Sequence, residues 1–83
     1  MKLRKINDDC HELIAKKGTV LFSCDVPVAV SFDLPIEDKW GCYKTNKFFS
    51  QKVSADIAEW TTTSRAVPQE VIEQYAEMIA RAV

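Results

Sequence analysis

The apolar positions of this chain follow two rhythms. The change between them falls near residue 54. Residues 19–32 are β-branched and apolar, Thr19-Val20-Leu21-Phe22-Ser23-Cys24 and then Val28-Ala29-Val30-Ser31-Phe32, broken once at Asp25-Val26-Pro27. Such runs, bounded by turn residues, read as strands. The spacing predicts one strand over residues 19–24 and a returning strand over 28–32. Pro27 cannot donate to a ladder, so the chain is expected to turn there or to run along an edge. Residues 33–39 read as a loop with Pro35 as its breaker. Residues 40–45 read as a third antiparallel strand, followed by a turn at Asn46-Lys47. Residues 48–53 fit either a short fourth strand or an extended entry into the next element.

Helical spacing takes over afterwards. Ser54 is placed to cap a short helix over residues 55–60, with Val53 as a hydrophobic staple and Ile57 and Trp60 on one face. Residues 61–64 end it. Pro68 suits a first helical position, with Gln69 and Glu70 in the first turn. Val71, Ile72, Tyr75, Ile79 and Ala82 then recur at helix spacing, with Met78 at the edge of the stripe. Glu70, Glu73, Gln74, Glu77 and Arg81 cover the other side, and Glu77 and Arg81 stand four apart in the favourable order. A further helix is expected near the start, over residues 9–17. There Asp9 and Glu12 form a capping box, Cys10, Leu13 and Ile14 a stripe, Lys16 and Lys17 the last turn, and Gly18 a left-handed stop.

These elements make one domain over residues 1–83. The expected fold is α+β: a three- or four-stranded antiparallel sheet covered on one face by two or three helices. Its core should draw Val20, Phe22, Val28, Val30 and Tyr43 from the sheet. Leu13, Ile57, Trp60, Ile72, Tyr75 and Ile79 should come from the helices. Apolar residues at 47% and charged residues at 28% are ordinary globular values. A net charge of −1 argues against both a generic polyanion binder and a mimic of DNA. No apolar run approaches the ~18 residues of a membrane span. The basic start lacks a hydrophobic signal core, so a cytoplasmic protein with no membrane partner is expected.

Candidate chemistry is sparse. Cys10, Cys24 and Cys42 form no Cys-x-x-Cys pair, and a zinc site would have to recruit His11, which adjoins Cys10 and cannot share a helix face with it. The cysteines therefore read as reduced small hydrophobes. No serine sits in a Gly-x-Ser-x-Gly elbow, and two glycines do not make a phosphate-cradling loop. His11 with Asp8, Asp9 and Glu12 reads as a capped first turn. No catalytic residue, metal or cofactor is assigned, and the chain is not expected to be an enzyme. One segment does stand out. Residues 39–52 carry Lys39, Lys44, Lys47 and Lys52 and no acid, interleaved with Trp40, Tyr43, Phe48 and Phe49. Cations between aromatic faces are what single-stranded nucleic acid binding uses. Trp, Tyr and Phe are equally the anchors of protein interfaces, and scarce core material in a short chain. Lys39, Trp40, Lys44, Lys47, Phe48 and Lys52 are the candidate binding residues.

Between residues 20 and 60 the sequence resembles a family of small proteins of unknown function found in phages, plasmids and some archaea. The family pattern runs Leu-x-Ser-Tyr-x-Thr-Pro-Val-Ala, then Tyr-x-Thr, then Tyr-Ser-x-Thr-Thr-Ser-x-His-Ile-x-x-Trp-Leu. Leu21, Ser23, Pro27, Val28 and Ala29 match its first block, Tyr43 and Thr45 its second, and Ser50, Ser54, Ile57 and Trp60 its third, with Phe49 close to its tyrosine. Cys24, Val26, Lys52, Val53, Asp56 and Thr61 depart from it; Asp56 stands where the family has histidine. The matches fall on strand, turn and cap positions. The resemblance implies the fold more than an activity, and a mobile-element setting. In that setting it implies a protein-binding module directed at a host or phage macromolecule, above all a protein complex, such as an inhibitor of bacterial defence of the anti-CRISPR kind. A nucleic-acid-binding accessory protein using residues 39–52 is the alternative.

Overall fold

The computed structural model describes residues 2–36, 39–61 and 64–81, the side chains of Asn7, Pro35, Ile36, Lys39 and Trp40 excepted. Six strands, β1 (Lys2–Asn7), β2 (Cys10–Ile14), β3 (Gly18–Ser23), β4 (Val26–Ile36), β5 (Lys39–Thr45) and β6 (Arg65–Val67), form one sheet in chain order. Helix α1 (Gln51–Trp60) joins β5 to β6, and α2 (Gln69–Arg81) follows β6. The first five strands are antiparallel neighbours, and β6 runs parallel to β5. A parallel neighbour needs a crossover connection, and α1 supplies it. The chain is therefore α+β, with a mixed sheet larger than the three or four strands expected.

The two helices pack on opposite faces, not on one. Val20, Val30 and Phe32 are buried against Ile72, Ala76 and Ile79 of α2. Leu21, Val28 and Ala29 are buried with Cys10 against Val53 and Ile57 of α1. Adjacent residues of a strand point to opposite faces, so a strand covered on both sides must be apolar throughout. The runs Val20-Leu21 and Val28-Ala29-Val30 meet that demand. Val28 is the extra residue of a bulge, since Leu21 pairs with Ala29 and Phe22 with Pro27. The bulge puts Val28 and Ala29 into the same cluster.

The predicted helix over residues 9–17 is instead strand β2. It is paired with β1 (Arg4 with Glu12) and with β3 (Leu13 with Val20). A nine-residue stretch is too short to hold a helix by itself, and two flanking strands satisfy its backbone completely. Cys10 and Glu12 turn towards α1, while Leu13 packs with the α2 cluster. Gly18 is no left-handed stop. A Cβ there would stand 2.5 Å from the Ser31 carbonyl oxygen and 3.0 Å from Ile79 Cδ1, so close approach demands the glycine.

The β3–β4 turn is made by Cys24 and Asp25, at φ 52° and 65°, not by Pro27. Two positive values give the turn that matches strand twist. Pro27 lies near the start of a central strand, beside the bulge, and its carbonyl accepts from Gln69 Nε2 at 2.8 Å. β4 runs on through residues read as a loop, with its pairing shifted between Phe32 and Ile36. The extended entry is the form residues 48–50 take. Ser50 caps α1, its Oγ accepting from the Val53 amide at 3.2 Å, so the helix starts a turn before Ser54. Strand β6 was not foreseen. The last helix matches its prediction from residue 69, with Ile72, Ala76 and Ile79 buried and Val71, Tyr75 and Met78 partly covered. Glu37, Asp38, Thr62, Thr63 and Ala82 lie outside the described residues.

Candidate binding surface

Strand β5 sorts the basic-aromatic segment by alternation. Tyr43 faces α2 and joins Phe32 and Tyr75 in a triad of edge-to-face rings with centroids 5.0–5.8 Å apart. It is core. Lys44 and Cys42 take the other face, where Lys44 is half-buried and Cys42 Sγ meets Ser31 Oγ at 3.5 Å. Lys39 and Trp40 belong to β5, and their side chains fall outside the described part.

The link from β5 to α1 carries what remains. The Thr45 hydroxyl accepts from the Lys47 amide at 3.1 Å, and the Asn46 amide donates to the Val67 carbonyl at 2.8 Å. These bonds fix the turn. Lys47 lies over the Phe49 ring, 5.0 Å from its centroid, in cation–π range. Phe49 itself packs against the α1 cluster. Phe48 turns outward and is 69% exposed, the most exposed large apolar side chain among those described. Lys52 is engaged elsewhere. Its Nζ lies 3.2 Å from Asp9 Oδ2 and 3.7 Å from Asp56 Oδ2. The hydrogen bond to Asp9 above all, with the charges of Asp56 and Asp9, raises its amine above the ordinary value. Of the four candidates whose side chains are described, Lys47 and Phe48 are exposed at the surface, Lys44 is on a sheet face, and Lys52 is paired with Asp9 and Asp56.

Sequence reasoning missed a second region, at the other end of the sheet. Glu12, only 8% exposed, accepts from Trp60 Nε1 at 2.9 Å and lies 3.3 Å from Arg4 Nε. Arg4, Ile6, Cys10, Glu12 and Trp60 line a cleft of about 260 Å³, along with Asp56 and Glu59. Burial, with the Asp56 charge next, pushes the Cys10 thiol up from its ordinary value. That opposes the thiolate a nucleophile or metal ligand needs. On the opposite sheet face, Leu3, His11, Phe22 and Asp25 line a second cleft of similar size. The signal for this region was present. Two runs, Lys2-Leu3-Arg4-Lys5-Ile6 and Cys10-His11-Glu12-Leu13-Ile14, flank Asn7-Asp8-Asp9 as the arms of a hairpin flank its turn. Among the described residues no group of three or more His, Cys, Asp or Glu side chains is arranged to hold a metal ion, and no helix is long and apolar enough to cross a membrane.

Most of the residues that carry the phage-family resemblance occupy structural positions here, while Ser54 is exposed within α1. Leu21, Val28, Ala29 and Ile57 are core, Tyr43 is in the ring triad, Ser50 is the cap of α1, and Thr45 braces the turn. Asp56, at the family's histidine position, faces Lys52. Comparison of the chain with protein-family models, curated proteins and solved structures finds no match.

Proposed function

We propose that this chain is a protein-binding module without chemistry of its own, anchored through Phe48 on a larger macromolecular partner. The observation that carries the reading is the 69% exposure of Phe48, beside a lysine that is itself stacked on a covered ring. Aromatic side chains set in a polar surround are the residues that dominate interface energies. The nucleic-acid reading draws on the same residues and loses charge. Lys52 is bound to two carboxylates, and Lys44 is half-buried. Attraction to a phosphate backbone scales with the cations free to replace counterions. The resemblance to phage and plasmid proteins supports a host or phage protein complex as the partner, and interference with a host defence system as the role.

Affinity capture from bacterial lysate with the native chain and with Phe48→Ala tests the proposal. Among the described residues Phe48 belongs to neither buried cluster, so the variant should fold. The native chain should retain a stoichiometric protein, and the variant should hold it about tenfold less tightly or worse, the loss expected of an interface anchor. No stoichiometric partner, or equal retention by the variant, overturns the reading. Titration with single-stranded oligonucleotides at low salt decides the alternative. Salt-sensitive binding abolished by Lys44→Glu and Lys47→Glu would establish the nucleic-acid role in its place.

A further inference from the structure

Strand β1 is the edge of the sheet, and among the described residues only β2 pairs with it. Its outer backbone groups face away from the protein, a template for another strand. Both sheet faces beside this edge are hollow. Leu3, 64% exposed, borders the cleft with His11 and Phe22, while Arg4 and Ile6 border the cleft with Cys10 and Trp60 on the opposite face. Alternate residues of one edge strand thus line two pockets on opposite sides. Strand addition uses this arrangement: backbone hydrogen bonds give affinity, and pockets for alternate side chains give selectivity.

Charge states which strand fits. From Lys2 to Ile6 the edge reads cation, apolar, cation, cation, apolar, with no acid. A second copy pairing β1 on β1 antiparallel sets Arg4 on Arg4, Lys2 on Lys5, or Arg4 on Lys5, depending on register. Like charges directly opposite are destabilising. The Arg4 side chain is 62% exposed while its Nε lies 3.3 Å from the Glu12 carboxylate, and among the described residues Lys5 pairs with Asp8, whose side chain is 98% exposed. The Lys5–Asp8 pair is exposed on both sides, and such pairs are weak and readily exchanged. Of the three carboxylates that line the Arg4 cleft, Glu12 is held by Trp60 and Arg4, Asp56 pairs with Lys52, and Glu59 is exposed to solvent. The acid-binding positions are therefore the cations along the strand itself.

We infer that the open edge of β1 receives, by strand addition, an extended segment of a partner protein in which acidic residues face Lys2, Arg4 and Lys5 and apolar residues face Leu3 and Ile6. The inference rests on the protein-binding reading and gives that reading a second contact, remote in sequence from Phe48. The same lysines that keep copies of this chain apart select an acidic strand, as electrostatic complementarity does at interfaces generally.

The probe is the capped hexapeptide Glu-Val-Glu-Glu-Val-Glu, which reads the same in both directions and so serves a parallel or an antiparallel addition. Its binding is followed by hydrogen exchange of the β1 amides in the full chain. Protection confined to residues 2–6, weakening as salt screens the charges, is the expected result. Replacing the two valines of the peptide by proline removes two donors while keeping every carboxylate, and should weaken binding about tenfold or more. Lys5→Glu, on an exposed side chain, should weaken it as well and leave the fold intact. No protection of β1, equal binding of the proline peptide, or equal binding of Lys-Val-Lys-Lys-Val-Lys overturns the inference. Protection that grows with protein concentration in the absence of peptide assigns the edge to a second copy and overturns it too. None of these outcomes touches the Phe48-dependent capture, which tests the protein-binding reading separately.

Discussion

Trp60 holds the end of α1 to the second strand through one hydrogen bond, and removing that bond has a calculable cost. Trp60→Phe keeps an aromatic ring and deletes the indole N–H that Glu12 Oε2 accepts at 2.9 Å. Glu12 is 8% exposed, so water cannot freely replace the lost donor. A hydrogen bond to a charged group contributes about 1.5–3 kcal/mol, and leaving its buried acceptor unsatisfied costs a similar amount. In a domain of this size each kcal/mol moves the melting temperature by about 4–8 °C, so a fall on the order of 10 °C is expected. The change also trims the ring, and a double-mutant cycle removes that contribution. Glu12→Leu fills the site with apolar volume and deletes acceptor and charge together, and the cation it leaves, Arg4, is 62% exposed and can be hydrated. In the Glu12→Leu background Trp60→Phe should then cost only its lost packing. Urea unfolding followed by far-ultraviolet circular dichroism gives the four stabilities. A coupling of at least about 1 kcal/mol supports the bond. A coupling within about 0.5 kcal/mol of zero would refute it, since that is the additivity expected of residues that do not interact.

Three further outcomes follow from the backbone and the buried thiol. Gly18→Ala drives a Cβ to within 2.5 Å of the Ser31 carbonyl and should cost about 1–3 kcal/mol by overpacking; a melting temperature equal to that of the native chain would show that β3 and β4 can part without penalty. Cys24→Asn with Asp25→Gly places the favoured pair in a turn whose two φ values are both positive, and thermal melts should rise by several degrees, as about 1 kcal/mol of relieved strain implies; no rise argues against that turn. Stability should fall as pH climbs past 9.0, the ordinary value for Cys10, and further past 10.5, that for Lys52. Both groups have raised values in the folded chain, so the unfolded chain loses each proton first, binds fewer protons, and gains stability as pH rises. Cys10→Ala should remove the earlier part of the fall in denaturation midpoints measured across this range, and an unchanged profile would remove burial of the thiol as its cause.

What could be read in advance depended on how local each cause is. Helix α2 was legible because its stripe and its Glu77–Arg81 pair lie within the helix and its proline entry directly before it. The strand runs were legible because β-branched and aromatic residues cluster there. The covering of both faces was also written in the sequence: Val20 beside Leu21, and Val28-Ala29-Val30, leave no polar face for solvent. Strand β2 was misjudged because Cys10, Leu13 and Ile14 satisfy a helical stripe as well as a strand, and Asp9 with Glu12 imitates a cap. Only the pairing of this segment between β1 and β3 decides, and pairing is a property of the whole sheet. Ser50 lost to Ser54 for a related reason. Both are good caps, and the choice rests on Val53 turning into the α1 cluster.

The candidate surface was harder to read, because charge is settled by neighbours distant in sequence. Lys52 looked like one of four free cations in an acid-free stretch. Folding brings the hairpin turn residue Asp9 to its ammonium and adds Asp56 from the next turn of the helix. The apparent +4 of residues 39–52 is then partly cancelled at the site itself. The short run Lys2 to Ile6, read only as a basic start, becomes an open strand whose cations lie in a row along one edge. Composition counts both segments as basic. Topology distinguishes them, because the cations of β1 stand along an unpaired strand edge where an incoming backbone can dock, while Lys52 stands on a helix between two carboxylates. In the proposed reading the sheet edge, not the aromatic segment, is where electrostatic selection of a partner acts, and Phe48 supplies contact area in place of charge.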